Sequence, residues 1–372
     1  MQNNTINGTT PYEELVTTYD KANFFDELAI QINYIKNIPG DTCDKERPYR
    51  IISIEDKTFN NEDRPKKLKE FIDRCNERLT GSCARSRWQI FYLYKELFQF
   101  FINDNDNYNY FRGQSNNEDL LPGILRESVQ SSYRSNFESL YQKIAKEFPD
   151  KISYVELKDD NSIEDRECQL SLLQHYGIKT SLLDITSNPY IAMLFMLSEK
   201  FEKYKEPTFF LFRVDENNCD REHLFTEVRR NKVNERIEAQ KGAFLNFDKL
   251  CLNNKLEKIP LVKINLHFSS EAFKEQIAIE NKQVGEITST PTNEEGLSDY
   301  KEMLRKELES IEKSKIECLN FIRDELIQKL REYFYFEEDL FPDFENRIRY
   351  LSNKYQGSTV DKVISQDLKL KK

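Results

Sequence analysis

No two cysteines of this chain stand at the short spacing of a zinc knuckle or a redox pair. The seven residues Cys43, Cys75, Cys83, Cys168, Cys219, Cys251 and Cys318 are scattered and odd in number, and they read as reduced thiols. A run of about eighteen apolar residues is also missing, as is a basic N-terminal stretch leading into an apolar one. Membrane spanning and export are therefore not indicated, and a cytoplasmic location is the expectation. There is no surplus of positive charge: 55 Lys and Arg face 65 Asp and Glu, a net charge of -10. That balance argues against a general affinity for nucleic acid or anionic membranes, and leaves room only for a local basic pocket. No clear cluster of carboxylates suggests a catalytic metal, so none is expected.

Apolar residues make up only 38% of the chain, but 26 Phe and 19 Tyr supply enough large apolar surface to build a core. At 372 residues the chain suits one elaborated domain or two. Met1 to Pro11 reads as a polar tail. Helical spacing of Phe24, Phe25, Leu28, Ile30, Ile32 and Ile35 predicts a helix over Glu13 to Ile38, stopped by Pro39-Gly40. Further helices are predicted over Arg64 to Leu79 and Arg85 to Ile102, which makes the N-terminal third mainly helical.

After the turn-rich stretch Asn103 to Asn107, Tyr108 to Arg112 reads as a short strand ending at Gly113. Glu138 to Phe148 and Arg166 to Tyr176 look helical. Thr208 to Val214 suits a buried strand closed by Asp215 to Asn218, and Ile259 to Phe268 alternates as a half-buried strand does. Gln283 to Asp299 reads as a loop or insertion. Tyr300 to Phe336 is a long charged helix whose Leu304, Leu308, Ile311, Ile316, Leu319 and Ile322 line one packed face. The Lys-rich end from Asp367 is a solvated tail.

Three clusters set polar groups and glycine against apolar runs, the pattern expected where backbone approaches a ligand. In Tyr110-Phe111-Arg112-Gly113-Gln114, an arginine ends a buried strand, and its planar fork suits a carboxylate or a pyrophosphate. A structural ion pair is the plainer alternative. The second cluster is Gln174-His175-Tyr176-Gly177 followed by Thr180 to Pro189 and the apolar helix Tyr190 to Leu197. Asp184, Thr186 and Asn188 can cap that helix, and its N-terminus favours an anion; capping alone is the plainer account. His175, one of three histidines, could donate a proton or bind a ribose, or could serve structure only. The third cluster runs from Arg236 to Phe244. If extended it places Glu238 and Gln240 on one face, and if helical it leaves them solvated.

Together these motifs resemble the FRG domain, named for Phe-Arg-Gly. The resemblance rests on Phe111-Arg112-Gly113-Gln114, Leu121-Pro122-Gly123, His175-Tyr176-Gly177, Leu182 to Pro189, Gln240 to Phe244 and Leu340-Phe341-Pro342-Asp343. It extends from about Tyr108 to Tyr350. Ile185 stands where the family often has Trp, and the stretch 278–315 is longer than usual. The implied organisation is a tail and helical region over 1–104, an FRG domain over 105–350 with an insertion around 278–315, and a tail over 351–372.

The cluster order is also similar to that of ADP-ribosyltransferases. That likeness implies an ADP-ribosyltransferase-like mixed central sheet, so that with the helices read above the expected fold is α+β with a helical N-terminal extension and a long C-terminal helix. It further implies NAD as substrate, with Arg112 holding the dinucleotide phosphates and Thr180, Ser181 and Thr186 bracketing the nicotinamide ribose. Gly113, Gln114, Asp184 and Asn188 would complete the cofactor-binding set, Glu238 or Gln240 would occupy the third-strand catalytic position, and His175 would be auxiliary. The chain would then be an NAD-dependent transferase or NAD glycohydrolase, acting as a bacterial anti-phage or toxin effector. The alternative is a non-catalytic nucleotide-sensing or protein-interaction module in a defence system. If Gln240 holds the third-strand place, it supplies no charge to an oxocarbenium-like transition state and the pocket binds without turnover.

Overall fold

The computed structural model describes residues 11–37, 47–58, 66–80, 89–103, 107–198, 200–215, 223–226, 235–252, 256–284 and 294–340, with 342, 348 and 351–352. The tail before Pro11, the stop at Pro39-Gly40, the Lys-rich end, Cys43, Cys83 and Cys219 lie outside these residues. So do most of the Phe341 to Asp343 motif and most of the turns expected over Asn103 to Asn107 and after Asp215.

Among the described residues, eight strands form one sheet: β1 (Phe25–Lys36), β2 (Tyr49–Asp56), β3 (Tyr110–Gln114), β4 (Leu182–Thr186), β5 (Thr208–Phe212), β6 (Phe225–Thr226), β7 (Gly242–Asn246) and β8 (Ile259–Phe268). Their order is β2-β1-β8-β5-β3-β4-β7-β6. Only β1 and β8 pair in parallel, and the other neighbours are antiparallel. The helices are α1 (Pro11–Thr18), α2 (Lys66–Thr80), α3 (Ile90–Asn103), α4 (Ser131–Ser135), α5 (Phe137–Glu147), α6 (Asp160–His175), α7 (Pro189–Met196), α8 (Glu235–Ala239), α9 (Asp248–Leu252), α10 (Ser270–Val284) and α11 (Glu294–Glu332).

Of the helix expected over Glu13 to Ile38, the start as far as Thr18 is helical in α1, but the Ile-rich part is the twelve-residue strand β1. Its Ile-rich segment satisfies both periods, and the parallel register with β8, from Phe25↔Ile259 to Tyr34↔Phe268, selects the strand. Ile30, Ile32 and Tyr34 then point into the core while Gln31 and Asn33 point the other way. With β2 beside it, the N-terminal third is mixed rather than mainly helical. The loop expected up to Asp299 also yields partly to helix, because α11 begins at Glu294.

Two apolar clusters cover the two faces of the sheet. One packs β1, β8, β5 and Phe111 against α2, α3, α7 and α11. Along α11 the buried stripe is Ile311, Cys318, Leu319, Ile322, Leu326 and Leu330; of the others expected on it, Ile316 is half-buried, Leu308 is exposed and the Leu304 side chain lies outside what is described. The other cluster packs Tyr110, Phe210, Phe212, Ile259 and Leu261 under Tyr12 and Leu15 of α1, Phe137 and Tyr141 of α5, and Leu170 and Leu173 of α6. On that same face the strands turn polar further along, at Thr208, Lys263, Asn265, His267, Gln31 and Asn33. Arg112 and Gln114 of β3 stand on this face, beside Phe210 and Thr208.

Arg166 of α6 ties the second cluster together and has no solvent exposure. Its Nε donates to Asp248 Oδ2 at 2.8 Å and its Nη2 to Glu138 Oε1 at 2.5 Å and to the Tyr12 hydroxyl at 3.1 Å. Tyr12 in turn donates to Asp248 Oδ1 at 2.7 Å. Four helices, α1, α5, α6 and α9, thus meet on one guanidinium. Arg166→Ala leaves the buried Asp248 carboxylate without its cation and should lower unfolding free energy by about 3–5 kcal/mol in a denaturant titration. A loss below about 1 kcal/mol would show that the network is not what joins these helices.

The adjacent Glu167 is buried and accepts from Asn246 Nδ2 at 3.1 Å. Burial pushes its carboxyl up to about 8 from an ordinary 4.5. The folded state therefore holds this proton more tightly than the unfolded one. Its stabilising contribution is full below the unfolded pKa and is lost as pH rises through the folded one. Relative to Glu167→Gln, wild-type stability should decline between about pH 5 and pH 8, with a slope of at most about 1.4 kcal/mol per pH unit, then level off. Parallel curves for the two proteins would refute this.

A candidate anion site between two halves of the sheet

β3 pairs with β5 along its whole length, from Tyr110↔Phe212 to Gln114↔Thr208, and β4 pairs with β7 from Leu182↔Asn246 to Thr186↔Gly242. Between β3 and β4 only Phe111↔Thr186 is paired. Past that pair the two halves of the sheet part, and a cavity of about 340 Å³ opens there. That volume suits a small-molecule ligand.

Arg112 spans the gap. Its Nη1 donates to the Asp184 carbonyl of β4 at 2.5 Å, and its Nε donates to Gln114 Oε1 at 2.9 Å. The guanidinium thus occupies ground that ladder hydrogen bonds would otherwise fill. Both acceptors are neutral, and among the described residues Arg112 forms no ion pair. Burial pulls its pKa down to about 10; Asp184 and Glu118 oppose that shift and the Arg126 charge adds to it. Among the described residues, the structural ion pair offered as the plainer account of this arginine is thus not formed.

The other two letters of the motif are structural. Phe111 is buried in the cluster shared with α3 and α7. Gly113 lies against α7, where an added Cβ would stand 1.9 Å from the Ala192 carbonyl oxygen and 2.8 Å from the Met196 nitrogen. No side chain fits unless two backbones separate.

The remaining expected residues divide between the cavity and its supports. Arg112, Gly113, Gln114, Asp184, Thr186 and Gln240 line the cavity; His175, Thr180, Ser181, Asn188 and Glu238 do not. Thr180 and Ser181 are buried just before β4. Thr180 Oγ1 donates to Gln174 Oε1, and the Ser181 carbonyl accepts from the Phe247 amide at 3.0 Å. His175 is the last residue of α6. The Asp184 carboxylate does not cap α7: it receives Gln174 Nε2 at 2.8 and 2.9 Å. Asn188 is the cap, accepting from the amides of Tyr190 at 2.9 Å and Ile191 at 3.3 Å.

The extended reading of the third cluster is corrected. Glu235 to Ala239 form a helical turn, Gln240 and Lys241 a tight turn with Lys241 at φ 46°, and the strand begins at Gly242. Glu238 is exposed on α8. The Gln240 side chain donates to the Leu340 carbonyl at 3.0 Å, while its own carbonyl accepts from Thr186 Oγ1 at 2.7 Å. Short local turns override the alternation on which the extended reading rested.

Asn116, Glu118, Arg126 and Arg236 also line the cavity and were not singled out from sequence. Arg126 follows the Leu121-Pro122-Gly123 motif and Arg236 opens the third cluster, so only their proximity to quoted motifs hinted at them.

The FRG domain model matches residues 107–205. Residues 107–205 are an FRG domain. The match takes in β3, β4 and α7, hence Arg112, Gly113 and Asp184, and stops before Gln240 and Leu340. No curated protein and no solved structure matches the chain. No helix among the described residues is long and apolar enough to cross a membrane.

The contact between the FRG motif and α7 is testable. Gly113→Ala should cost at least about 2 kcal/mol by overpacking. Thermal unfolding at a matched scan rate checks it, and an unchanged melting temperature would mean that β3 and α7 can separate freely.

Proposed function

We propose that the FRG-domain cavity binds a phosphate-bearing nucleotide, with Arg112 as the group that holds phosphate. The observation that carries this reading is a half-buried guanidinium whose protein partners, Gln114 Oε1 and the Asp184 carbonyl, are both uncharged. A buried cation is costly without an anion, and the Arg fork is suited to phosphate oxygens. NAD is the nucleotide suggested by the similarity to ADP-ribosyltransferases.

The arrangement favours a nucleotide-sensing module over an NAD-cleaving enzyme. Cleavage with oxocarbenium character calls for a carboxylate at the sugar. Glu238 is exposed on α8 outside the cavity wall, and Gln240 carries no charge. The carboxylates at the wall are Glu118 and Asp184, and Asp184 is already held by Gln174. If turnover occurs, Glu118 is the carboxylate that would support it.

Calorimetric titration of wild type, Arg112→Ala and Arg112→Lys with NAD and ADP-ribose, alongside nicotinamide release, tests the reading. Loss of a charge-assisted anchor should weaken binding by about tenfold or more in Arg112→Ala, with the melting temperature retained. Arg112→Lys should recover part of the affinity, and wild type should release no nicotinamide. Absence of any heat at millimolar nucleotide would remove this function, and nicotinamide release abolished by Glu118→Gln would establish the enzyme instead.

A further inference from the structure

Two more guanidinium groups stand at the same wall. Arg126, just after the short helical turn Gly123–Leu125, and Arg236 of α8 line the cavity with Arg112 of β3. Three separate segments, two of them close in sequence and the third distant, therefore bring positive charge to one opening. Two carboxylates line it as well, Glu118 and Asp184, and the second is engaged by Gln174.

Arg126 stands close enough to Arg112 to act on it. The charge of Arg126 works against protonation of Arg112, adding to the effect of burial. Gathering like charges around a partly desolvated cavity costs free energy in the empty protein. The fold itself draws little from Arg126. Its Nε reaches only the Leu121 carbonyl, at a long 3.4 Å, the side chain is exposed, and among the described residues it forms no ion pair. A surface arginine with no such partner is free to turn toward a ligand.

A monophosphate offers one set of oxygens, which the fork of Arg112 can satisfy. A diphosphate carries more charge over a longer span and can engage separate guanidinium groups at once. We infer that the cavity is built to select a diphosphate or longer polyphosphate over a monophosphate, with Arg112 on one phosphate and Arg126 and Arg236 on the next. This inference rests on the nucleotide reading of the cavity and specifies its ligand class; Arg126 and Arg236 are its specificity-determining residues.

The test is a calorimetric titration of the full chain with AMP, ADP and inorganic pyrophosphate at one fixed ionic strength. It is repeated for Arg126→Ala, Arg236→Ala and the charge-preserving Arg126→Lys and Arg236→Lys, each with a thermal melt. Wild type should bind ADP about tenfold or more tighter than AMP, and pyrophosphate should compete with ADP. Each alanine variant should remove most of that advantage while leaving AMP affinity within about threefold, and the lysine variants, which keep the charge and guard against misfolding, should retain most of it. Equal binding of AMP and ADP by wild type, or an ADP preference unchanged in both alanine variants, would overturn the inference and leave the Arg112 anion site standing. Failure of wild type to bind any of the three would remove the site itself and the inference with it.

Discussion

At Gly113 the backbone of β3 lies against α7 so closely that a single methyl group would overlap the Ala192 carbonyl. That approach holds β3 on the α7 layer, while full pairing with β5 holds it in the sheet. β4 is held independently by β7, and α7 begins three residues after β4 ends. With both strands anchored elsewhere, they need share only one residue pair, and the sheet can open between them without losing its core. The cavity thus follows from how tightly its two sides are fastened.

Two arginines of the chain show opposite solutions to the same electrostatic problem. Arg166 is enclosed with Asp248 and Glu138 and its charge is fully answered within the protein. Arg112 has carboxylates in its vicinity but hydrogen-bonds only neutral oxygens. The first arrangement joins helices and asks nothing of a ligand. The second leaves a cation at the wall of an opening, which is the arrangement expected where charge is to be supplied from outside.

The site also reaches beyond the matched FRG segment. Gln240 is fastened to the Leu340 carbonyl, and the Asn188 side chain donates to the Tyr335 hydroxyl at 3.1 Å. The segment after α11 therefore braces both the cap of α7 and the turn before β7. The segment that follows this long helix is thus joined to the cavity wall, to which α11 contributes no side chain among those described.

Local chemistry was legible in the sequence where one pattern dominated. The alternation of Ile259 to Phe268, most of the apolar run Thr208 to Val214 and a strand carrying Phe-Arg-Gly formed as their residues dictate, and α11 buries part of its expected stripe while leaving Leu308 exposed. A mixed sheet with a long C-terminal helix was likewise readable, whereas the strand expected to end at Gly113 runs on to Gln114, and Gly113, read as a place for backbone to approach a ligand, packs against α7. Tertiary structure decided what two patterns left undetermined. β1 is a strand because β8 pairs with it, Glu238 faces away because a turn precedes β7, and Arg126 and Arg236 share a cavity wall with Arg112 because separate elements converge on one gap. Periodicity is a property of neighbours along the chain and so is present in the sequence, whereas register, strand order and the meeting of distant charges depend on which surfaces pack together.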